Sequence, residues 1–89
     1  MIKDTFIVKN KSGLHARPAT EFSKKAREFM SDITVRKGEK DADAKSMLGI
    51  LTLALSKNSQ FELIISGDDE EVAMIAFREL IEMFEEQDV

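Results

Sequence analysis

With 89 residues, six Phe and many Leu, Ile and Val, the chain has material for one small core, so residues 1–89 are expected to form a single domain. The absence of Cys excludes disulfides and thiolate metal sites, and a single His leaves no basis for a His-based metal centre, so no metal and no cofactor is expected. A net charge of −4 argues against nucleic acid as the main partner; no stretch approaches the roughly 20 apolar residues of a membrane span, and no signal peptide is legible, so a cytoplasmic protein without membrane insertion is expected.

Residues 2–8 are rich in β-formers and place Ile2, Phe6 and Val8 on one face of a strand. Asn10 to Gly13 reads as a loop. Ala16 to Phe29 predicts a helix: Ala19, Phe22, Ala26 and Phe29 recur at helical spacing, and Lys24, Lys25 and Arg27 suit its C-terminal end. Ser31 and Asp32 break the pattern, and Ile33 and Val35 then alternate with polar residues as a half-buried strand does. Lys37-Gly38-Glu39 turns the chain into a weak strand around 40–44. Ser46 suits the N-cap of a short helix, about 47–55, that is apolar nearly all round. Asn58 suits a left-handed turn before a strand in which Phe61, Leu63 and Ile65 alternate. The acidic run from Asp68 to Glu71 suits the start of a last helix reaching about Glu85, with Ala73, Ala76, Phe77, Leu80 and Phe84 as its buried stripe. The order βαββαβα with strictly alternating strands predicts an α+β fold of two layers: an antiparallel sheet with one face under three helices and the other open to water.

The chemistry concentrates at Gly13-Leu-His-Ala-Arg-Pro-Ala19, which holds the chain's one imidazole. Imidazole titrates near neutrality and can act as a nucleophile at cellular pH. Pro18 favours the first helical turn, so His15 stands where free backbone N–H groups and the positive end of the helix dipole meet, a place that binds phosphate. That positive end disfavours imidazolium and stabilises an added phosphoryl charge. Arg17 supplies a planar fork of donors for phosphate oxygens. The local reading is a histidine that carries a phosphoryl group at a shallow, open site. No Gly-rich nucleotide cradle accompanies it, so the group is expected to come from one protein and go to another.

Charge is uneven. Residues 1–40 hold ten Lys/Arg and five Asp/Glu, net +5; residues 41–89 hold three and twelve, net −9. Lys9, Lys11, Arg17, Lys24, Lys25 and Arg27 form either a rim that steers acidic proteins or a solvated surface. Ser46 has two readings, a helix N-cap or a regulatory phosphorylation site. Met47 and Leu48 either complete the core or form an exposed apolar knob for docking.

Asn10 to Thr20 resembles the active-site signature of the HPr family, the histidine-containing phosphocarriers of the phosphoenolpyruvate-dependent sugar phosphotransferase system, and Lys45-Ser46-Met47-Leu48-Gly49 is similar to that family's serine-centred motif. The resemblance implies an open-faced β-sandwich of four antiparallel strands and three helices. It also implies that phospho-enzyme I donates to Nδ1 of His15 and that enzyme IIA domains of sugar permeases receive the group, with Arg17 positioning the phosphate. In the Gram-positive type the serine matching Ser46 is phosphorylated by a dedicated kinase, HPr kinase/phosphorylase, which weakens transfer and promotes binding to a transcription regulator. Ala16, Thr20, Lys24, Arg27, Met47, Leu48 and Leu51 are the expected partner-binding residues, and a monomer is expected. The acidic tail Glu85-Glu86-Gln87-Asp88 resembles a parallel nitrogen-linked branch with regulatory roles. Two functions of different class follow: a stoichiometric phosphoryl carrier, not an enzyme, or a regulatory module that works through protein binding.

Overall fold

A computed structural model describes residues 1–87, in the order β1 (Ile2–Ile7), α1 (Ala16–Ala26), β2 (Asp32–Lys37), β3 (Lys40–Asp43), α2 (Met47–Thr52), β4 (Gln60–Ser66) and α3 (Glu70–Gln87). The strands form one antiparallel sheet in the order β1-β4-β2-β3. The register aligns Ile2 and Ile33 with Ile65, Val35 with Leu63 and Phe6 with Phe61, so one face of the sheet is apolar. All three helices cover that face, the α+β open-faced sandwich expected from the alternation. Phe22 of α1 and Phe77 of α3 meet with ring centroids 4.8 Å apart, and the Phe22 edge reaches Phe61 on the sheet at 6.3 Å. Each such fully buried ring contributes about 1.5–3 kcal/mol relative to exposure. The open face carries Thr5, Thr34, Arg36, Asp41 and Glu62; Arg36 grips Asp41 on the neighbouring strand through two hydrogen bonds, 2.7 and 3.0 Å.

One carboxylate faces the helices. Asp4 stands opposite Leu63 and is met at 3.0 Å by Nε of Arg78 from α3. The start of α3 is tied on two sides. Asp69 accepts from the backbone N–H of Met30 at 2.8 Å and of Ser31 at 3.0 Å, and from the Ser31 hydroxyl. Glu70 accepts from Gly67 N–H and from the N-terminal ammonium, both at 3.1 Å. These bonds favour the charged forms and hold both carboxyls below their usual range: the Ser31 hydroxyl is the largest cause for Asp69, the Gly67 amide for Glu70.

Several boundaries differ from those expected. α1 ends at Ala26 rather than Phe29, because Glu28 and Phe29 leave by tight bonds to Lys25 and Ala26 while Asp69 takes the amides of Met30 and Ser31. β2 begins at Asp32, opposite Ser66, one residue before the alternation that starts at Ile33. α2 stops at Thr52, and Ala54 takes the left-handed conformation, φ +51°. Asn58 is left-handed as expected, φ +74°. Along α3, Met74 and Ile81 join Ala73, Phe77, Leu80 and Phe84 in the core, whereas Ala76 is half-buried. Asp88 of the acidic tail lies outside the described residues. Among those described, no helix is long and apolar enough to cross a membrane, and no cluster of His, Asp and Glu suits a metal ion.

Candidate functional site

The loop before α1 is fixed by backbone bonds. Buried Asn10 donates from Nδ2 to the Gly13 carbonyl at 2.6 Å, and Gly13 N–H returns to the Asn10 carbonyl at 3.1 Å. Gly13 has φ +67°, and a Cβ there would strike the Leu55 carbonyl and lie 2.8 Å from Ser56 Cα, so only glycine fits. Leu14 buries its side chain and donates its N–H to the Leu55 carbonyl at 2.7 Å. The two residues before the histidine are therefore pinned against the turn that follows α2.

His15 is the N-cap of α1, in extended backbone at φ −77°, ψ −169°. Its carbonyl accepts Ala19 N–H at 2.9 Å, but its side chain makes no capping bond and is exposed. The helix offers no upstream carbonyl to the N–H groups of Ala16 and Arg17, and Pro18 has no N–H at all. No acidic residue lies in this first turn. The helix start is an uncapped, electropositive point beside an exposed imidazole, suited to a phosphate group.

His15 opens onto a shallow hollow walled by Ser12, Leu14, Leu51, Ala54, Leu55 and Ser56. Left-handed backbone costs a non-glycine residue about 1–2 kcal/mol, so Ala54 must be held in place. Its N–H reaches the Leu51 carbonyl at 3.2 Å, and its carbonyl accepts Ser56 N–H at 3.0 Å and the Lys37 ammonium at 2.9 Å; the same ammonium donates to the Leu53 carbonyl at 3.1 Å.

Arg17 shares the helix start with His15 but not its hollow. Its exposed side chain borders a separate depression with Pro18, Glu21, Met83, Phe84 and Gln87, and forms no hydrogen bond or ion pair among the described residues. Ala16, Thr20, Lys24 and Arg27 are all exposed along α1. Two of them reach toward α2: the Thr20 hydroxyl donates to the Ala16 carbonyl at 2.7 Å and lies 2.9 Å from Met47 Sδ, and Arg27 Nη1 lies 3.3 Å from the Lys45 carbonyl. Ser46 is exposed and caps α2, its Oγ accepting Gly49 N–H at 3.0 Å. Leu48 is 68% exposed, whereas Met47 and Leu51 pack partly against the core. The expected knob is thus Leu48 on a half-buried base. The loop role of Asn10 was readable from the sequence, but the long-range contacts of Lys37 and Ala54 were not. Nothing local marks either residue for such a contact.

The family model described as "PTS HPr component phosphorylation site" matches residues 2–83 of this chain. The phosphocarrier protein HPr of Borreliella burgdorferi is 42% identical over 86 residues, covering 97% of this chain and 100% of the relative. Among solved structures, HPr-C-His from Thermoanaerobacter tengcongensis superposes with a TM-score of 0.91 at 45% identity, covering 96% of each chain. Crh, the Bacillus subtilis catabolite repression containing protein, superposes with a TM-score of 0.73 at 35% identity, covering 93% of this chain and 95% of that one; its structure is described as a swapping-domain dimer. For Crh, then, the assembly differs from the monomer expected here.

Proposed function

This chain belongs to the HPr family of phosphocarriers, and on that footing we propose that His15 is the residue that carries the phosphoryl group, received from phospho-enzyme I and passed to enzyme IIA domains of sugar permeases. The observation that carries this reading is the exposed imidazole standing as N-cap of α1 with no capping bond of its own. In the forward step, a lone pair on Nδ1 of His15 forms the P–N bond as the bond between phosphorus and the donor breaks, and the electron pair leaves with the donor. The transferred oxygens lie at the positive helix end, within reach of the amides of Ala16 and Arg17, and the exposed Arg17 fork swings over to them. The reverse sequence delivers the group, so the protein is a stoichiometric carrier, not an enzyme. Ala16, Thr20, Lys24, Arg27, Met47, Leu48 and Leu51 form the docking surface: α1 supplies its cations and α2 the apolar Leu48. The carrier works as a cytoplasmic monomer.

Labelling with phosphoenolpyruvate and enzyme I tests this. One acid-labile phosphoryl group per chain is expected, lost in His15→Ala, with Arg17→Ala slowing its arrival. Acid-stable label, or label that persists without His15, overturns the assignment.

A second reading concerns Ser46. Its exposed hydroxyl adjoins Lys45, whose carbonyl Arg27 reaches from α1, so phosphate there would alter the same surface that docks partners. The likeness to Crh, a catabolite repression containing protein, supports control of this kind; the agents proposed for it are HPr kinase/phosphorylase and a transcription regulator. Ser46→Asp is expected to slow labelling by enzyme I and to raise affinity for such a regulator in calorimetry; no change in either removes the reading.

A further inference from the structure

We propose that Lys37 is a positioning residue for phosphoryl transfer at His15; the proposal rests on the reading of His15 as the carrier. Lys37 ends β2, and its ammonium crosses to the C-terminal end of α2, where it donates to the carbonyls of Leu53 and Ala54. A cation is favourable there, because the last carbonyls of a helix lack partners and carry the negative end of the dipole. The residue so held is the one that needs holding: Ala54 sits at φ +51° with no glycine to ease it. One residue further on, the Leu55 carbonyl receives Leu14 N–H at 2.7 Å, and Leu14 precedes His15.

Lys37 is therefore joined to the imidazole by a short chain of backbone contacts: ammonium to the 53–54 carbonyls, Leu55 to Leu14, Leu14 to His15. Ala54 and Leu55 also wall the hollow onto which His15 opens. Without the ammonium, Ala54 relaxes toward ordinary backbone, the Leu55 carbonyl turns away, and the N-cap residue loses its fixed direction relative to the free amides of α1. A partner protein still docks on α1 and α2, but the ring is misplaced for in-line transfer. The effect belongs in the transfer step and not in partner affinity.

Three variants separate this from a merely structural role. Lys37→Met keeps the aliphatic stem and removes the donor; Lys37→Arg keeps donors; Lys37→Met with Ala54→Gly removes the donor together with the need for it, because glycine accepts positive φ. Quenched-flow labelling from phospho-enzyme I is expected to show transfer about tenfold slower in Lys37→Met with KM for enzyme I unchanged, and a rate within about twofold of the parent in the other two. Nitrogen-15 NMR of the unphosphorylated protein, which needs no partner, is expected to show the Leu14 amide and the His15 imidazole shifting in Lys37→Met alone, with the remaining spectrum in place. A folded Lys37→Met that transfers at the parent rate with unmoved Leu14 and His15 signals overturns the proposal, as does a slow Lys37→Met that neither partner variant restores. If the parent accepts no label on His15, the carrier assignment fails, and the NMR arm still shows whether Lys37 sets the histidine.

Discussion

The starts of α1 and α3 receive opposite treatment. At α3 two carboxylates stand at the positive end, Asp69 bonded to Met30 and Ser31 and Glu70 bonded to Gly67 and the N-terminus. At α1 there is no acidic residue in the first turn, Pro18 replaces one of the orphan donors, and the cap is a histidine whose ring bonds to nothing in the helix. Yet the loop leading to α1 is as firmly built as that leading to α3, through Asn10, Gly13 and Leu14. One start satisfies its own electrostatics and serves the fold. The other has a rigid approach and a first turn with neither a side-chain cap nor an acidic residue, the arrangement on which the proposed role of His15 rests.

The most drastic way to break this contrast is to give α1 the cap it lacks. His15→Asp should abolish labelling completely and at the same time raise stability by about 1 kcal/mol in urea, since Asp caps a helix and complements its dipole. A lower midpoint would mean the His15 ring already supports the fold. Next in size, Gly13→Ala removes the rigid approach while leaving the histidine. It should destabilise by about 2–4 kcal/mol, combining left-handed backbone with a clash against residues 55–56, and urea unfolding would measure it.

The α3 side is sharpened by acid. Asp69 and Glu70 have folded-state pKa values below those of the unfolded chain. Their contribution is fully present above the usual carboxylate range and is lost as pH falls through the folded values. Asp69→Asn should flatten that acid limb of a stability–pH curve, whereas His15→Asn should leave it unaltered; parallel curves for Asp69→Asn and the parent would remove Asp69 from the account. The smallest effect is at α2, a third start with an ordinary serine cap. Ser46→Ala should cost about 1 kcal/mol in thermal unfolding while labelling of His15 proceeds at the parent rate.

The strands and the two long helices were legible because their cause is local. Phe61, Leu63 and Ile65 alternate, and Ala19, Phe22 and Ala26 repeat at helical spacing, whatever surrounds them. The place of His15 at the start of α1 was legible for the same reason, since Gly13 and Pro18 stand beside it in the chain. What stayed hidden depends on distant partners. α1 stops at Ala26 because a carboxylate 39 residues beyond Met30 takes the next amides. Alanine favours helix, so Ala54 in left-handed backbone contradicts its own propensity and depends on contacts from elsewhere in the fold. The glycine requirement at position 13 comes from a carbonyl at position 55. Even Asp4, placed toward the helices by the register, is explained by Arg78, 74 positions away.

The pairing of β1 with β4 means that the first strand of the chain waits for nearly the last before the sheet can close. Residues 2–7 find their neighbours at 60–65, and the loop that presents His15 leans on the turn at 53–56. A growing polypeptide that has left the ribosome only as far as α2 has its histidine but neither the sheet partner nor the brace behind it. Closing so long a span is slow relative to forming a helix. An incomplete copy therefore lacks the fixed approach to His15 that the finished fold provides.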